Sequence, residues 1–467
     1  MKPHLLLRLR AGSQGVEAAS WLDAACGHDG HAPDPRPYGP AVLTPAIDSV
    51  LRRHRVGVRV THEYPQARPG RWSADERAAG LDRVYRLIVR DRADLPSGMV
   101  DEIAMQSEVD FARGPQVTST PLAPPVPVPV PVRALARSTD ARSRRHIGLP
   151  EAHRLGEGSS EVVVAVLDTG VDVDHAELAP AVLPGFDFVD IIDGAERFVG
   201  DHLDADPDPE DLVGHGTHVA GIIVGRGVGM PRGVVPQCRL LPVRVLGAMR
   251  RGERAVGAGL VENIDVALKW AVDQGADVIN MSFGLRSRGG GLPHRDVVAY
   301  GLRRGVTMVA ATGNDGSDRE LYYPGALPDV IAVGANDADD EVAAFSTYGP
   351  QVVLTAPGAD IYSSVPGNRY AFASGTSQAA PFVSGAAAFL QSLAVRAVGE
   401  RLSAAGIRRL LVRTADRPDA RLRTPRGGHG RLNLADAARL LAYEGHRGVG
   451  TGRHGAIPAR LSHDRTR

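Results

Sequence analysis

Ser377 lies in the run SGTSQAAPFVS, where a glycine turn meets an apolar stretch. The residues that follow it predict a buried helix whose first turn carries the Ser377 hydroxyl. A helix start offers unpaired N–H groups and the positive end of the helix dipole, which would stabilise negative charge developing on a substrate carbonyl. Taken alone, such a serine is more often a cap or a turn residue, so its partners decide the interpretation.

Asp168 and His215 supply the other groups that a serine nucleophile needs. The run EVVVAVL before Asp168 predicts a buried parallel strand, and catalytic groups gather at such strand ends in α/β sheets. His215 lies between two glycines in GHGTHVAG, at the entrance to another apolar helix. A serine hydroxyl becomes nucleophilic when a base with a pKa of about 6.5 removes its proton. The alternatives are a satisfied core aspartate and a capping histidine.

The chain order Asp168, His215 and Ser377, with the motifs DTGVD, HGTHVAG and GTSQAAP, resembles the subtilisin-like (subtilase, peptidase S8) family of serine endopeptidases. The resemblance implies that Ser377 attacks the scissile carbonyl, that His215 takes and returns the proton, and that Asp168 orients the imidazole. It also implies that Asn314, after the predicted strand GVTMVAA, forms the oxyanion hole with the Ser377 N–H. A turn asparagine is the alternative for Asn314.

The same resemblance predicts how a substrate is held. Ser282, Phe283 and Gly284 follow the predicted strand ADVINM, and in the family this segment pairs with the substrate backbone and forms one wall of the S1 pocket. Leu246 introduces the segment expected at the opposite edge of the cleft. A polypeptide bound between two strand edges is held largely through its backbone, so broad specificity is the default.

Two residues bear on specificity at the predicted S1 pocket, and Tyr322 departs from the common family pattern. Tyr322 stands where a small residue often sits, and a tyrosine there would shorten the pocket. Asp315, near the pocket mouth, would favour a basic P1 side chain. A peptide library that varies P1 tests both hypotheses.

The 467 residues exceed what one core usually holds, so at least two units are expected. Residues 1–120 show a β-α-β-β-α-β pattern. This small α+β unit resembles, in element order only, the inhibitory chaperone propeptides that precede many subtilases, and an unrelated adaptor domain is the alternative. Residues 146–444 alternate strands and helices, as in a doubly wound parallel α/β sheet of subtilisin-like type.

A Pro/Arg-rich linker over residues 121–145 separates the two units. It begins with PLAPPVPVPVPV, which favours an extended polyproline II spacer. Arg142, Arg144 and Arg145 follow, and a solvated stretch is favoured over a processing site. The Gly/His/Arg-rich residues 445–467 have no periodic apolar face and are predicted to be disordered.

The composition restricts the kinds of partner that the protein is expected to bind. Lys+Arg and Asp+Glu both number 54, so nothing indicates binding to nucleic acid or to an anionic membrane. The predicted partners are polypeptide substrates and the protein's own N-terminal domain, as an intramolecular inhibitor or chaperone. Two cysteines, Cys26 and Cys238, make no disulfide framework. Cys26 with the irregularly placed His28 and His31 is too little for a metal site.

The apolar run at residues 5–7 is shorter than the hydrophobic region of a secretion signal. No uncharged stretch reaches transmembrane length either. We therefore predict a soluble, cytoplasmic protein, and an unrecognised export route or a wrongly assigned start codon remains the alternative.

Acidic residues before His215 offer the hard oxygen ligands that calcium prefers. They are Asp187, Asp190, Asp193, Asp204, Asp206, Asp208, Glu210 and Asp211. Prolines at 207 and 209 replace the glycine turn of a regular calcium loop, so a plain acidic surface loop is favoured. No cofactor is predicted to be required.

The sequence thus predicts a serine endopeptidase that hydrolyses peptide bonds through an acyl-enzyme on Ser377. The competing class is a non-catalytic protein of the same fold that binds extended peptides. The intact set of Asp168, His215, Asn314 and Ser377 argues against that class.

Overall fold

A computed structural model describes residues 3–26, 43–90, 92–120, 141–191, 197–252, 254–286, 292–417 and 424–446. Several predictions fall outside these ranges: the polyproline spacer at 121–132, the pair His28 and His31, the acidic Asp193, and the tail from residue 447 onward.

The N-terminal unit is a four-stranded antiparallel sheet with four helices, which are divided between its two faces. Its elements are β1 (His4–Leu9), α1 (Trp21–Ala25), α2 (Pro45–Arg53), β2 (Val58–His62), α3 (Ala74–Ala79), β3 (Val84–Val89), α4 (Met99–Ala104) and β4 (Val109–Arg113). The strands lie in the order β2-β3-β1-β4, each antiparallel to its neighbour. The six elements of the predicted β-α-β-β-α-β pattern are present, and α1 and α3 are additional.

Successive leucine side chains of β1 belong to different core clusters, which shows what each face of the strand packs against. Leu5, Leu7 and Leu9 are buried in the core of the N-terminal unit. Leu6 points to the opposite face and joins a core cluster shared with the second unit. Since successive strand residues face opposite sides of a sheet, one face packs against α2 and α4, and the other faces the cluster that α1 and α3 share with the second unit.

The second unit contains the remaining elements. Its strands are β6 (Val163–Asp168), β7 (Phe186–Asp187), β8 (Arg239–Arg244), β9 (Gly247–Arg251), β10 (Arg254–Leu260), β11 (Val278–Met281), β12 (Leu285–Arg286), β13 (Thr307–Ala311), β14 (Tyr322–Tyr323), β15 (Ile331–Asn336), β16 (Val352–Pro357), β17 (Ile361–Val365) and β18 (Arg369–Ala373). Its helices are α5, described over 141–146, α6 (Leu149–Ala152), α7 (His215–Val224), α8 (Val261–Asp273), α9 (Arg295–Arg303), α10 (Thr376–Val398), α11 (Ala404–Arg413) and α12 (Leu434–His446).

Seven parallel strands form the main sheet, in the order β16-β15-β13-β11-β6-β8-β7. Along β6, Val164 and Val166 enter the core that contains α7 and α10, and Val163, Ala165 and Leu167 enter the core that contains α8 and α9. Both faces of the sheet are therefore covered, as the predicted α/β class requires.

Helix α10 lies along the centre of the sheet. Its segment Thr376–Ala397 has the length and mean hydropathy of a membrane span, but 89% of the most apolar window is buried inside the protein, as in a core helix. Its burial fixes the position of the first turn, which carries Ser377.

A short strand after the N-terminal unit crosses to the second unit. Strand β5 (Val117–Ser119) pairs antiparallel with β10, which forms a hairpin with β9. The N–H of Thr120 continues the ladder by donating to the carbonyl of Gly257 at 3.0 Å. On its other side, Ser119 forms a bridge to Gly284. We call residues 117–120 the strap.

The prediction of a solvated linker is wrong for Arg144. This side chain is 5% exposed, and its guanidinium donates to the carbonyl oxygens of Arg232 (2.6 Å) and Pro231 (3.2 Å) and lies over the ring of Phe382. The loop carbonyls need a donor when they are buried, and Arg144 provides it. Residues 141–146 therefore pack with the second unit.

Candidate active site

Asp168 and His215 meet at the carboxyl end of the central strand. Asp168 is the last residue of β6 and is fully buried, whereas His215 begins α7 and keeps 15% of its side chain exposed. The Nδ1 atom of His215 lies 2.6 Å from Oδ1 of Asp168. Burial opposes the charged imidazole, but the charge of Asp168 and this hydrogen bond outweigh it and raise the pKa of His215 above its ordinary 6.5.

Asp211 holds the loop that delivers His215. Its buried carboxylate accepts hydrogen bonds from the hydroxyls of Thr169 (2.8 Å) and Thr217 (2.7 Å) and from the N–H of Gly214 (2.7 Å). Sequence reasoning weighed Asp211 as a calcium ligand and favoured a plain acidic surface loop. Its position shortly before a helix start is the signal for a capping role, because such aspartates accept the N–H groups of the first turn.

Ser377 is brought to the same edge by strand register. Leu167 of β6 pairs with Met281 of β11, so Asp168 and Ser282 stand side by side at adjacent strand ends. The Ser377 hydroxyl donates to the carbonyl of Ser282 at 3.2 Å, and the Ser282 hydroxyl donates to the carbonyl of Ser377 at 3.1 Å. In the described part of the chain, the Ser377 hydroxyl makes no hydrogen bond to His215.

Asn314 follows β13 and reaches the start of α10. Its Oδ1 accepts hydrogen bonds from both the N–H and the hydroxyl of Thr376, at 2.9 Å each. The amide Nδ2 is therefore left to donate elsewhere, and it lies 3.0 Å from where a Cβ on Gly375 would stand. The N–H of Ser377 has no protein partner among the residues described. Two donors thus lie at the start of α10, where Ser377 is located.

One of the predicted cleft residues pairs with the strap. Gly284 bonds to it, since the Gly284 N–H approaches the carbonyl of Ser119 at 3.4 Å. Leu246 is buried against the glycines of β10, and Phe283 is buried with its ring 5.9 Å from that of His294. Sequence reasoning located the second cleft edge only as the segment after Leu246. In the structure, β10 follows that segment and pairs with the strap.

Asp315 and Tyr322 are in contact with each other. The Tyr322 hydroxyl donates to Oδ2 of Asp315, and Arg286 bonds to both side chains. Arg286 was missed because no motif marks it, and only the pairing of β12 with β14 brings it close.

Three of the acidic residues before His215 are engaged by protein donors. Asp187 pairs with the buried Arg244, Asp206 accepts the N–H of Asp208, and Asp211 is bonded as described above. Among the described residues, no three His, Cys, Asp or Glu side chains are grouped to hold a metal ion.

Comparison with known proteins identifies the same region. Residues 159–435 match the subtilase family. The "Thermophilic serine proteinase" of Bacillus sp. (strain AK1) is 42% identical over 239 residues, which are 50% of this chain and 53% of that protein. The "Major intracellular serine protease" of Bacillus subtilis (strain 168) is 38% identical over 273 residues, 57% of this chain and 80% of that protein. "Thermitase" of Thermoactinomyces vulgaris is 36% identical over 274 residues, 58% of this chain and 86% of that protein.

The family match spans the strand that ends in Asp168, the helix that begins with His215 and the helix start that carries Ser377. The chain belongs to the subtilase family of serine proteases.

Proposed function

We propose that this protein is an endopeptidase that cleaves polypeptides through an acyl-enzyme on Ser377. The observation that carries the proposal is the 2.6 Å contact between His215 and Asp168, at a sheet edge where the neighbouring strand end holds the Ser377 hydroxyl. A histidine whose Nδ1 is held by a buried carboxylate presents Nε2 as the base, which is the arrangement that serine nucleophiles require.

The chemistry follows from these positions. Ser377 Oγ attacks the scissile carbonyl while His215 Nε2 takes its proton, and Asp168 stabilises the resulting imidazolium. The oxyanion receives hydrogen bonds from the Ser377 N–H and from Nδ2 of Asn314. His215 then protonates the leaving amine. Water enters, loses its proton to His215 and attacks the acyl carbon, and Ser377 recovers its proton as the new carboxylate leaves.

A fluorophosphonate probe tests this proposal and the competing view of a non-catalytic peptide binder. The wild type should be labelled, and Ser377→Ala should not. Ser374→Ala is the matched control, because Ser374 lies three residues earlier and its side chain bonds to the surface residue Asp360. Labelling that persists in Ser377→Ala, or no labelling of the wild type, would refute an acyl-enzyme on Ser377.

We also propose that residues 1–120 inhibit the protease from within the same chain. The strap lies between β10 and Gly284 as an added antiparallel strand, the mode in which an extended substrate would bind. Its side chains alternate: Thr118 is 1% exposed and Thr120 is 7% exposed, whereas Val117 is 54% exposed. The strap therefore occupies the cleft that a substrate needs.

Contacts between the N-terminal sheet and α8 hold the strap's parent unit in place. The buried ammonium of Lys269 lies 2.8 Å from Glu76 and 2.7 Å from Asp273. Arg86 pairs with Glu63 at 2.6 Å and also donates to Asn263 of α8 at 2.9 Å. Because these groups are out of water, each depends on its partner across the contact. These buried contacts between the two units favour an inhibitor that stays bound.

Thr118→Arg in the full chain tests this inhibition. Arginine does not fit a buried strap position, so the strap should leave the cleft and peptidase activity should rise. Val117→Arg is the matched control, because position 117 is exposed and the strap should remain bound. Equal activity in both variants and in the wild type would count against the inhibitory role.

We further propose that the protein acts inside the cell. The apolar residues 5–7 form the middle of β1, which is paired on both sides by β3 and β4, so they serve the fold of the N-terminal unit. One related protein carries the name "Major intracellular serine protease". Fractionation of the native host, with an antibody against residues 146–444, tests this location, and recovery from the medium of intact cells would contradict it.

A further inference from the structure

Tyr322 lies in the space between the two strand extensions that flank Ser377. One extension carries Gly284, three residues after the end of β11, and the other carries Gly313 after β13. A Cβ on Gly313 would stand 2.9 Å from Cδ2 of Tyr322, and a Cβ on Gly284 would stand 3.2 Å from Cβ of Tyr322. The tyrosine thus packs against both glycines, which leave room for its ring.

This space lies next to the reacting group. Ser282, two residues before Gly284, accepts the Ser377 hydroxyl, and Asn314, next to Gly313, bonds to Thr376. The side chain of a substrate residue whose carbonyl is attacked by Ser377 would enter between the two extensions. The Tyr322 ring limits how far that substrate side chain can enter the space.

A charged cluster clamps the ring at its outer end. The Tyr322 hydroxyl accepts hydrogen bonds from Arg286 Nε at 3.2 Å and Nη2 at 3.1 Å, and it donates to Asp315. Arg286 also pairs with Asp315 at 3.2 Å and with Glu320 at 3.4 Å. Its guanidinium carbon lies 5.5 Å from the centre of the Tyr322 ring, within cation–π range.

We infer that Arg286 is a specificity-determining residue that restricts P1 to small side chains. It does so by holding the Tyr322 ring across the S1 space and by occupying the carboxylate of Asp315. The inference rests on the proposed peptidase function and names its substrate class: polypeptides with glycine, alanine or serine at P1. Arg286 acts through Tyr322 and Asp315, so it is a positioning residue.

The cluster also bears on the expectation that Asp315 favours a basic P1 residue. Oδ2 of Asp315 already receives the Tyr322 hydroxyl and the Arg286 guanidinium. A lysine or arginine at P1 would have to displace Arg286, which Glu320 also holds. A basic side chain therefore gains little from Asp315 while Arg286 is present.

Peptides that differ only at P1 provide the test. The measured quantities are the kcat/KM ratios of a phenylalanine or lysine peptide to the alanine peptide, for one enzyme at a time. A ratio cancels the fraction of molecules whose cleft is covered by the strap. Retained cleavage of the alanine peptide shows that a variant is folded.

Four variants separate the roles. Tyr322→Ala should raise the phenylalanine ratio at least about tenfold, because it deepens the pocket. Arg286→Ala should raise the phenylalanine ratio several-fold and also the lysine ratio, since Asp315 is released. Tyr322→Phe should loosen the ring but leave the lysine ratio unchanged, since Arg286 still pairs with Asp315. Arg319→Ala removes an exposed arginine nearby and should change neither ratio.

The outcomes distinguish this inference from the proposed function. If the wild type cleaves no peptide faster than Ser377→Ala does, the peptidase proposal itself fails. If the wild type cleaves but prefers phenylalanine, or if Arg286→Ala leaves both ratios within about twofold, the restriction by Arg286 is wrong and the peptidase proposal stands.

Discussion

Glu262 is a buried carboxyl group whose removal should stabilise the protein at neutral and alkaline pH. It lies in the first turn of α8, beneath the N-terminal sheet, and is 0% exposed. Neither carboxylate oxygen has a hydrogen-bond partner from another described residue, and Nε of Arg113 is 3.9 Å away. Burial raises the pKa of Glu262 to about 7, although the charges of Arg113 and Arg86 act in the opposite direction.

The magnitude and the sign follow from this pKa. A rise from 4.5 to about 7 corresponds to about 3 kcal/mol between the two protonation states, at roughly 1.4 kcal/mol per pKa unit. Because the folded protein binds this proton more tightly than the unfolded chain, the stabilising contribution is complete below pH 4.5. This contribution to the free energy of unfolding is lost as the pH rises to about 7, and above that pH the group causes no further change.

Glu262→Gln removes this titration while preserving the side-chain shape. The free energy of unfolding of Glu262→Gln, relative to the parent, should therefore increase by about 3 kcal/mol between pH 4 and pH 8. Urea unfolding at a series of pH values measures it, in a Ser377→Ala background that prevents self-digestion. Tryptophan fluorescence is a suitable signal, because Trp21 and Trp72 belong to the core cluster shared by the two units.

Glu161→Gln is the matched control, since Glu161 is exposed. Its difference from the parent should not vary with pH. If the difference for Glu262→Gln is equally flat, the carboxyl group titrates normally in the folded state and the reasoning from burial is refuted.

Three further predictions follow. Glu177→Gln should lower the free energy of unfolding by about 2 kcal/mol in urea, because the buried carboxylate accepts three N–H groups of the loop 227–230 and an amide presents a donor to them. The acid limb of the kcat/KM profile should lie above pH 6.5, since His215 must lose its proton to act and Asp168 raises its pKa. Asp168→Asn should move this limb to lower pH. It should also reduce kcat by roughly 10⁴-fold, the loss that serine proteases with this trio show. EDTA should leave the melting temperature unchanged, and a decrease that calcium restores would contradict this.

Local signals in the sequence were sufficient for the elements that carry the site. The apolar run 161–167 predicted β6, which the structure places at Val163–Asp168. The glycines around His215 and before Ser377 indicated helix starts, and α7 and α10 begin at those positions. Periodicity and turn residues act over a few positions, so one sequence reveals them.

The partners of these elements depend on contacts between distant positions. The residues around Arg144 predict a solvated side chain, but its hydrogen-bond acceptors are the carbonyls of Pro231 and Arg232. Asp211 has the appearance of a surface carboxylate until Thr169 is placed beside it by the end of β6. No periodic signal encodes such pairings, because they depend on which strand ends become neighbours in the folded sheet.

Ser119 and Gly284, which form a bridge at the cleft, lie far apart in the sequence. The strap follows a sheet that is complete at Arg113, whereas its binding edges are β10 and Gly284, much later in the chain. Sequence reasoning gave the N-terminal unit an inhibitory role by resemblance alone. The pairing adds the physical means by which it would act.

The sheet order has a consequence for synthesis on the ribosome. Central strand β6 cannot pair until β8 and β11 have emerged, but the N-terminal sheet is finished before β6 is translated. All strands of the N-terminal sheet have therefore been synthesised by the time α8 and α9 appear. Ser377 is translated after every residue of the strap, of β10 and of the segment around Gly284, so under the proposed inhibition the nucleophile would join a groove that the chain itself has already filled.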